Sequence, residues 1–255
     1  MSHRPRKRFS QNFLHDQSVL SNMCACIAPQ AEDHVVEIGP GQGALTAYLY
    51  EAAAHLSLVE IDNDLAALLQ QKYSQDQVTI YNQDVLTVDF SQLVGPSHRM
   101  RIVGNLPYHI STPLLFHVFK AIDCVQDMHF LLQKEVVDRL CAPVNTRAYG
   151  RLSVMAQYYC ACDALFEVPP EAFYPAPKVQ SAYVRLVPHK LYHTADFDLF
   201  ADVVRDAFCH RRKTIANGLK KYLSAAQLDA LAINPSCRPQ ELTVAQYLKI
   251  VESLV

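Results

Sequence analysis

The tetrapeptide Asn105-Leu106-Pro107-Tyr108 closes the apolar run that starts at Met100, and its residue types suit one kind of reaction. The exocyclic amine of a nucleobase is a poor nucleophile because its lone pair is delocalised into the ring. An Asn side-chain oxygen and a main-chain carbonyl, here that of Leu106, can accept both amine hydrogens. That favours a pyramidal nitrogen with its lone pair aimed at an electrophile. Pro107 fixes the turn so that the Leu106 carbonyl points inward. Tyr108 offers a face on which a base can stack, worth ~1–3 kcal/mol. No proton has to be removed first if the electrophile is a methyl group on a sulfonium, which is already a good leaving group; positioning and electrostatics then suffice. Asn and Pro also end strands in ordinary turns, so the tetrapeptide gains its weight from what precedes it.

Three of the seven glycines fall within five residues, Gly39, Gly41 and Gly43. They follow an apolar run directly and open a helical stretch, where glycine lets the backbone turn tightly and approach a ligand. Gly39-Pro-Gly41-Gln-Gly43-Ala44 also fits G-x-G-x-x-A, the dinucleotide fingerprint, so the turn alone indicates a nucleoside cofactor of either kind. The carboxylates separate the kinds. Glu37 precedes the first glycine by two residues, Glu60 ends the second strand, where a carboxylate can accept ribose hydroxyls, and Asp84 follows the third, level with a purine amine. With Asn105 they sit at the carboxyl ends of four successive strands, where open parallel sheets bind ligands. Any one of them could be a loop carboxylate or a cap. A pyrophosphate would want cations here and none of the four is one; S-adenosylmethionine, with a sulfonium, an ammonium and no phosphate, suits an acidic site better than NAD does.

Strands are expected at 34–38, 55–61, 77–82, 100–105 and 128–133, alternating with helices at 16–28, 44–53, after Asp62, from Ser111 with Pro113 in its first position, and over 134–140. Alternation of this kind gives an α/β fold, a mostly parallel sheet with helices on both faces. Residues 163–170 and 178–188 have no helix between them and read as an antiparallel edge. Beyond Pro188 the chain reads as helical, with Ser224/Gln227 and Thr243/Gln246 at capping-box spacing. The expected division is a cofactor-binding, catalytic domain over 1–190 and a small all-α domain over 191–255.

With 255 residues, half of them hydrophobic and 19% charged, the chain is a globular protein and not a disordered, collagenous or long coiled-coil one. No apolar run is long enough to span a bilayer and none near the N-terminus resembles a secretory signal, so the expected location is the cytoplasm, with no membrane partner. The eight cysteines include no CxxC pair and no zinc pattern; no metal is expected, and reduced thiols packed as small hydrophobes are preferred to metal ligands for the two CxC pairs. The net charge of −2 hides an asymmetry. Residues 1–8, with Arg4, Arg6, Lys7 and Arg8, carry +4, and 205–221, with Arg211, Arg212 and Lys213 at its centre, carry +5, leaving −11 on the remainder. Two separated basic segments suggest a polyanion partner; a loose tail and a solvated helix face would give the same count.

These residues resemble a known family nearly end to end, the small-subunit ribosomal RNA adenine N6,N6-dimethyltransferases (KsgA/RsmA). The resemblance is carried by residues 6–14 (RKRFSQNFL), 36–41 (VEIGPG), 59–62 (VEID), Gln83-Asp84, 104–108 (GNLPY), 132–135 (LQKE), 149–153 (YGRLS), the run from Phe173 through Pro175 and Pro177 to Ser181, and 211–214 (RRKT). Several of these are shared with the 23S rRNA methylases of macrolide resistance; 150–159 and 211–214 look more like the small-subunit enzyme. The resemblance implies a Rossmann-like class I S-adenosylmethionine-dependent methyltransferase and a set of roles. Asn12 and Leu14 would close over the cofactor, Gly39 and Gly41 line it, Glu60 bind the ribose, and Asp84, with Val85 beside it, the adenine amine. Asn105, at the cofactor's edge, and Leu106 would hold the target amine, and Tyr108 and Phe173 would sandwich the flipped base. A loop aromatic folded onto the sheet edge is the plainer reading of Phe173. His109, where the family often has Asn, and Ala176, where it often has Pro, remove no group with a role. The implied substrate is a pair of adjacent adenosines in the 3′-terminal hairpin loop of 16S rRNA within the 30S particle, gripped by a monomer at Arg4, Arg6, Lys7, Arg8, Arg211, Arg212 and Lys213. Large-subunit rRNA, an assembly factor without catalysis and an NAD-dependent oxidoreductase are the competing readings.

Overall fold

A computed structural model describes residues 11–53, 55–93, 99–190 and 196–255; Arg4, Arg6, Lys7 and Arg8 lie outside the described residues. In chain order the first elements are β1 (Phe13–Leu14), α1 (Gln17–Ile27), β2 (His34–Ile38), α2 (Ala44–Tyr50), β3 (His55–Val59), α3 (Asn63–Lys72) and β4 (Val78–Tyr81). Then come β5 (Met100–Asn105), α4 (Ser111–Phe119), β6 (Val125–Gln133), α5 (Lys134–Leu140), α6 (Arg151–Tyr159), β7 (Cys160–Val168), β8 (Phe173–Tyr174) and β9 (Ser181–Pro188). The last are α7 (Phe197–Cys209), α8 (Ile215–Gly218), α9 (Ala225–Ala230) and α10 (Val244–Glu252).

Seven strands form one sheet in the order β4-β3-β2-β5-β6-β9-β7. The first five of these pair in parallel, and β9 runs antiparallel to β6. From β2 the chain builds outward to β3 and β4, then returns to place β5 on the other flank, so the winding reverses between β2 and β5. Ligands of open α/β sheets bind at such a switch point. The central strands bury both faces: Val35, Val36, Leu56, Leu58, Ile102, Val103, Met128 and Phe130 are all essentially inaccessible, which is why they read as continuous apolar runs.

The helices start where the sequence supplies caps. Asp16 accepts from the backbone N–H groups of Ser18 and Val19, and Asp62 from that of Asp64. Helix α1 then lays Leu20, Met23 and Ile27, three and four residues apart, into the core. One glycine is dictated by strand approach rather than by a turn. A Cβ on Gly104 would stand 2.5 Å from the Ile38 carbonyl oxygen of the neighbouring β2. At the opening of the sheet the buried Arg101 pairs with Asp33 at 2.9 Å and Asp127 at 2.6 Å.

The chain divides into two compact units, 1–137 with 163–188, and 138–162 with 189–255. The second unit is helical. Its rings pack closely, Tyr158 on Phe200 with centroids 4.2 Å apart and Phe208 on Tyr247 at 6.0 Å. The capping boxes at Ser224/Gln227 and Thr243/Gln246 are both formed.

Several expectations shift. The second unit takes in 138–162 as well as the C-terminal segment. Helix α6 was not expected; its start is set by the Gly150 N–H donating to Ser153 Oγ, without a Ser, Thr, Asp or Asn cap. Helix α4 begins with Ser111 as its first residue, so Pro113 occupies its third position, still within the turn whose N–H groups lack helical partners. Residues 205–221 are not one helix: α7 ends at Cys209 and Arg211, Arg212 and Lys213 occupy the turn before α8. Ahead of the first expected helix a strand, β1, pairs antiparallel with β8. All eight cysteines are free; Cys160 is buried and Cys209 exposed, so burial as small hydrophobes does not describe the set.

Candidate functional site

A cleft of about 300 Å³ opens at the carboxyl ends of β2, β3, β4 and β5. Its floor is the glycine turn. Gly39, Gly41 and Gly43 have φ of 64°, 58° and 78°, the left-handed region that glycine enters without strain. Backbone there lies open to the cleft, and a Cβ on Gly41 would meet the Phe13 ring at 3.1 Å.

Glu37, Glu60, Asp84 and Asn105 all line this one cleft. Glu37 is buried, and Thr46 Oγ1 donates to its Oε2 at 2.6 Å. Burial pushes its carboxyl up to about 7; the Thr46 hydrogen bond and the Lys72 ammonium oppose this and Glu60 adds repulsion. Glu60 is pinned at both oxygens, Oε1 accepting from Asp62 N at 2.9 Å and Oε2 from Gly41 N at 3.1 Å. Burial raises its pKa and those two backbone donors restrain the rise. Each oxygen keeps a second lone-pair direction for a further donor. Asp84 caps the turn after β4 through Oδ1, which accepts from Leu86 N at 2.9 Å, and Val85 beside it is buried. Among the described residues no Lys or Arg lines the cleft.

On the opposite wall Asn105 Nδ2 donates to the Asn12 carbonyl at 3.0 Å. Among the described residues no donor reaches Asn105 Oδ1. The Pro107 carbonyl accepts from Ile110 N at 3.1 Å and Ser111 Oγ at 3.3 Å. The Leu106 carbonyl accepts from none of the described residues. Among the described residues, then, two acceptors on consecutive lining residues, Asn105 Oδ1 and Leu106 O, have no donor. The Tyr108 hydroxyl is 3.0 Å from Ser181 Oγ, which holds the half-buried ring at the cleft wall.

Asn12, Leu14, Gly39, Gly41, Glu60, Asp84, Val85, Asn105, Leu106, Pro107 and Tyr108 are thus brought together. Phe173 is not: it is 3% exposed, packed in the core, and is not a lining residue. In the two-residue strand β8 consecutive side chains face opposite ways. Phe173 points inward and Tyr174, 67% exposed, takes the place at the cleft. Glu37, expected at the site as one of the four strand-end residues but given no role by the resemblance, lines the cleft as well. Ile61, 44% exposed beside Glu60, also lines the cleft and gives no chemical signal in the sequence beyond its position after the strand.

In the second unit the Arg211 side chain is tied to the segment 147–149 and to Gln240. Its Nη2 donates to the carbonyls of Arg147 at 2.6 Å and Tyr149 at 3.0 Å, and its Nε to Gln240 Oε1 at 3.2 Å. Arg212 and Lys213 beside it are exposed. Among the described residues no group of three or more His, Cys, Asp or Glu could hold a metal ion, and no helix is long and apolar enough to cross a membrane.

The chain is similar to known proteins along nearly its whole length. The family model described as ribosomal RNA adenine dimethylase matches residues 2–255. Ribosomal RNA small subunit methyltransferase A of Coxiella burnetii (strain Dugway 5J108-111) is 54% identical over 248 residues, 96% of each chain. The protein of the same name from Legionella pneumophila (strain Lens) is 48% identical over 255 residues, 99% of this chain and 98% of its own. Among solved structures, the 23S rRNA methyltransferase ErmE superposes with a TM-score of 0.71 at 26% identity, covering 95% of this chain and 99% of its own. A dimethyladenosine transferase from Plasmodium falciparum gives 0.82 at 22% identity, over 94% and 96%, and shares the fold.

Proposed function

The chain belongs to the ribosomal RNA adenine dimethylase family, and on that premise we propose that it dimethylates the N6 amines of two adjacent adenosines in the 3′-terminal hairpin loop of 16S rRNA within the 30S particle, in the cytoplasm, as a step of small-subunit biogenesis. The relatives at 48–54% identity bear a small-subunit name, whereas the 23S enzyme is 26% identical; this supports the small subunit over the large one.

The cleft fits S-adenosylmethionine. Three carboxylates and, among the described lining residues, no Lys or Arg suit a cationic, phosphate-free ligand, and the glycine turn leaves the backbone bare where a side chain would intrude. Bound there, S-adenosylmethionine supplies an electrophilic methyl group on a sulfonium. Glu60, fixed by two backbone donors, accepts ribose hydroxyls with its remaining lone pairs. Asp84 accepts from the cofactor's adenine amine with the oxygen not used as a cap, and Val85 packs beside it. Gly39 and Gly41 line the methionine end, and Asn12 and Leu14 cover it.

Asn105 Oδ1 and the Leu106 carbonyl accept the two hydrogens of the target amine and hold its lone pair on line. Tyr108 stacks the base. Bases in a loop are already partly unstacked and cost less to flip. The basic leader, Arg4 to Arg8, and the turn bearing Arg212 and Lys213 grip the RNA backbone, with Arg211 bracing that turn. The protein acts as a monomer.

The observation that carries the reading is the pair of unclaimed acceptors at Asn105 and Leu106 beside an acidic cleft. Asn105→Ala should lower methyl transfer by about 10²-fold or more, as loss of one aligned hydrogen-bonding group in an active site does, while RNA still binds. Turnover close to wild type would refute it.

A further inference from the structure

The Asn105 amide has two ends of opposite character, and a 180° flip about its last bond would exchange them. In the observed orientation Nδ2 donates to the Asn12 carbonyl at 3.0 Å, which leaves Oδ1, with no donor among the described residues, as the end of the amide available to a ligand in the cleft that Asn105 lines. Flipped, the amide would present N–H groups to an amine whose hydrogens need an acceptor. A backbone carbonyl can only accept, so its position settles which end of the amide turns inward. The segment that carries this carbonyl is itself held in place. Gln11 Nε2 donates to Asp62 Oδ2 at 3.1 Å, Phe13 packs over Gly41, β1 pairs with β8, and His15 N donates to the Ala172 carbonyl at 3.0 Å.

We propose that the Asn12 main-chain carbonyl is a positioning group for methyl transfer, and that it is the reason residue 105 is Asn and not Asp. The proposal rests on the reading of Asn105 Oδ1 as an acceptor for the target amine. Acceptor strength by itself would not select Asn, since a carboxylate accepts from an amine at least as well. With the Asn12 carbonyl 3.0 Å from Nδ2, an ionised carboxylate at 105 sets two acceptors against each other and is driven out of line. A protonated one does not: its O–H donates to the Asn12 carbonyl and its C=O accepts from the amine, the same polarity as the amide.

Asn105→Asp is therefore expected to transfer methyl groups about 100-fold more slowly than wild type at pH 8.5. Its rate relative to wild type should recover by at least tenfold as the pH falls to 6. The titratable groups lining the same cleft are Glu37 on β2, Glu60 beyond β3, Asp84 beyond β4, Tyr108 and His109 beyond β5, His15 after β1 and Tyr174 on β8. All are present in both proteins, so the ratio of rates isolates residue 105.

Single-turnover rates on unmodified 30S particles, measured across this range for wild type, Asn105→Asp and Asn105→Ala, give separable results. Recovery of the Asp variant at low pH supports the proposal. An Asp variant as active as wild type at every pH overturns it, and so does one as inactive as the Ala variant at every pH. An Ala variant near wild type overturns the acceptor reading itself. Should Asn105→Asp not fold, the unaltered chain still decides. A cross-hydrogen-bond NMR coupling between Asn105 Nδ2 and the residue 12 carbonyl carbon is expected; its absence, with free flipping of the amide, contradicts the proposal.

Discussion

Replacing Glu37 by Gln should change how stability depends on pH, by an amount that the site sets. Glu37 is buried beneath the glycine turn and burial lifts its carboxyl from 4.5 to about 7. The folded protein therefore binds this proton more tightly than the unfolded chain does. Below pH 4.5 both states are protonated and the group costs nothing. As the pH rises from 4.5 to 7 the unfolded state ionises first, and stability falls by about 1.4 kcal/mol per pH unit. The loss totals about 3 kcal/mol and is constant above pH 7. The substituted amide would keep an acceptor for the Thr46 hydroxyl and cannot ionise. Whatever fixed offset the substitution brings, the variant should gain about 3 kcal/mol on wild type between pH 4.5 and pH 8.5. Urea unfolding of both proteins at the two pH values, without cofactor, measures this double difference. With S-adenosylmethionine present the variant's gain at pH 8.5 should shrink by ~1.4 kcal/mol, because the variant lacks the charge that complements a cation and should bind about tenfold more weakly. Parallel stability curves for the two proteins would show that Glu37 is ionised in the folded state with no penalty, and the argument from burial would fail.

Gly104→Ala should destabilise the protein by about 2–3 kcal/mol or more, because its Cβ would stand 2.5 Å from the Ile38 carbonyl and backbone cannot yield as a side chain does; a change under ~0.5 kcal/mol in chemical unfolding would refute the close approach. Arg101→Met should cost about 3–5 kcal/mol, since it leaves the buried Asp33 without its cationic partner and the half-buried Asp127 with His129 alone. Arg101 is four residues before Asn105 on β5, so kcat well below the melting temperature should hold; a loss of turnover without loss of stability would contradict that placement. Arg212→Glu with Lys213→Glu should weaken RNA binding and reduce its dependence on salt while leaving S-adenosylmethionine affinity unchanged; an unchanged salt slope would remove these residues from the interface.

The parts of the fold legible in the sequence are those written locally. Buried parallel strands show as apolar runs, the glycine turn as three glycines in five residues, and helix starts as Asp16, Asp62, Ser224 and Thr243. The strand-end carboxylates could be placed because the strands could. What was not legible depends on partners far along the chain. Strands β1 and β8 have two residues each and meet across 160 residues, too short for any periodic signal. Their pairing sets which of Phe173 and Tyr174 faces the cleft, so the sequence motif named the loop but not the exposed ring. Arg211 sits among basic neighbours and reads as a free cation, yet carbonyls more than 60 residues away take its donors. The orientation of Asn105 is of the same kind, since it hangs on a backbone carbonyl 93 residues upstream.

The central claim is tested most directly by tritiated methyl transfer from S-adenosylmethionine to purified 30S particles that lack the modification, with fully methylated particles and 23S rRNA fragments alongside, followed by digestion to nucleosides. The account predicts label recovered as N6,N6-dimethyladenosine from the unmodified 30S particles alone. Label appearing in the 23S fragments instead, or no label despite binding of both cofactor and particle, would contradict it.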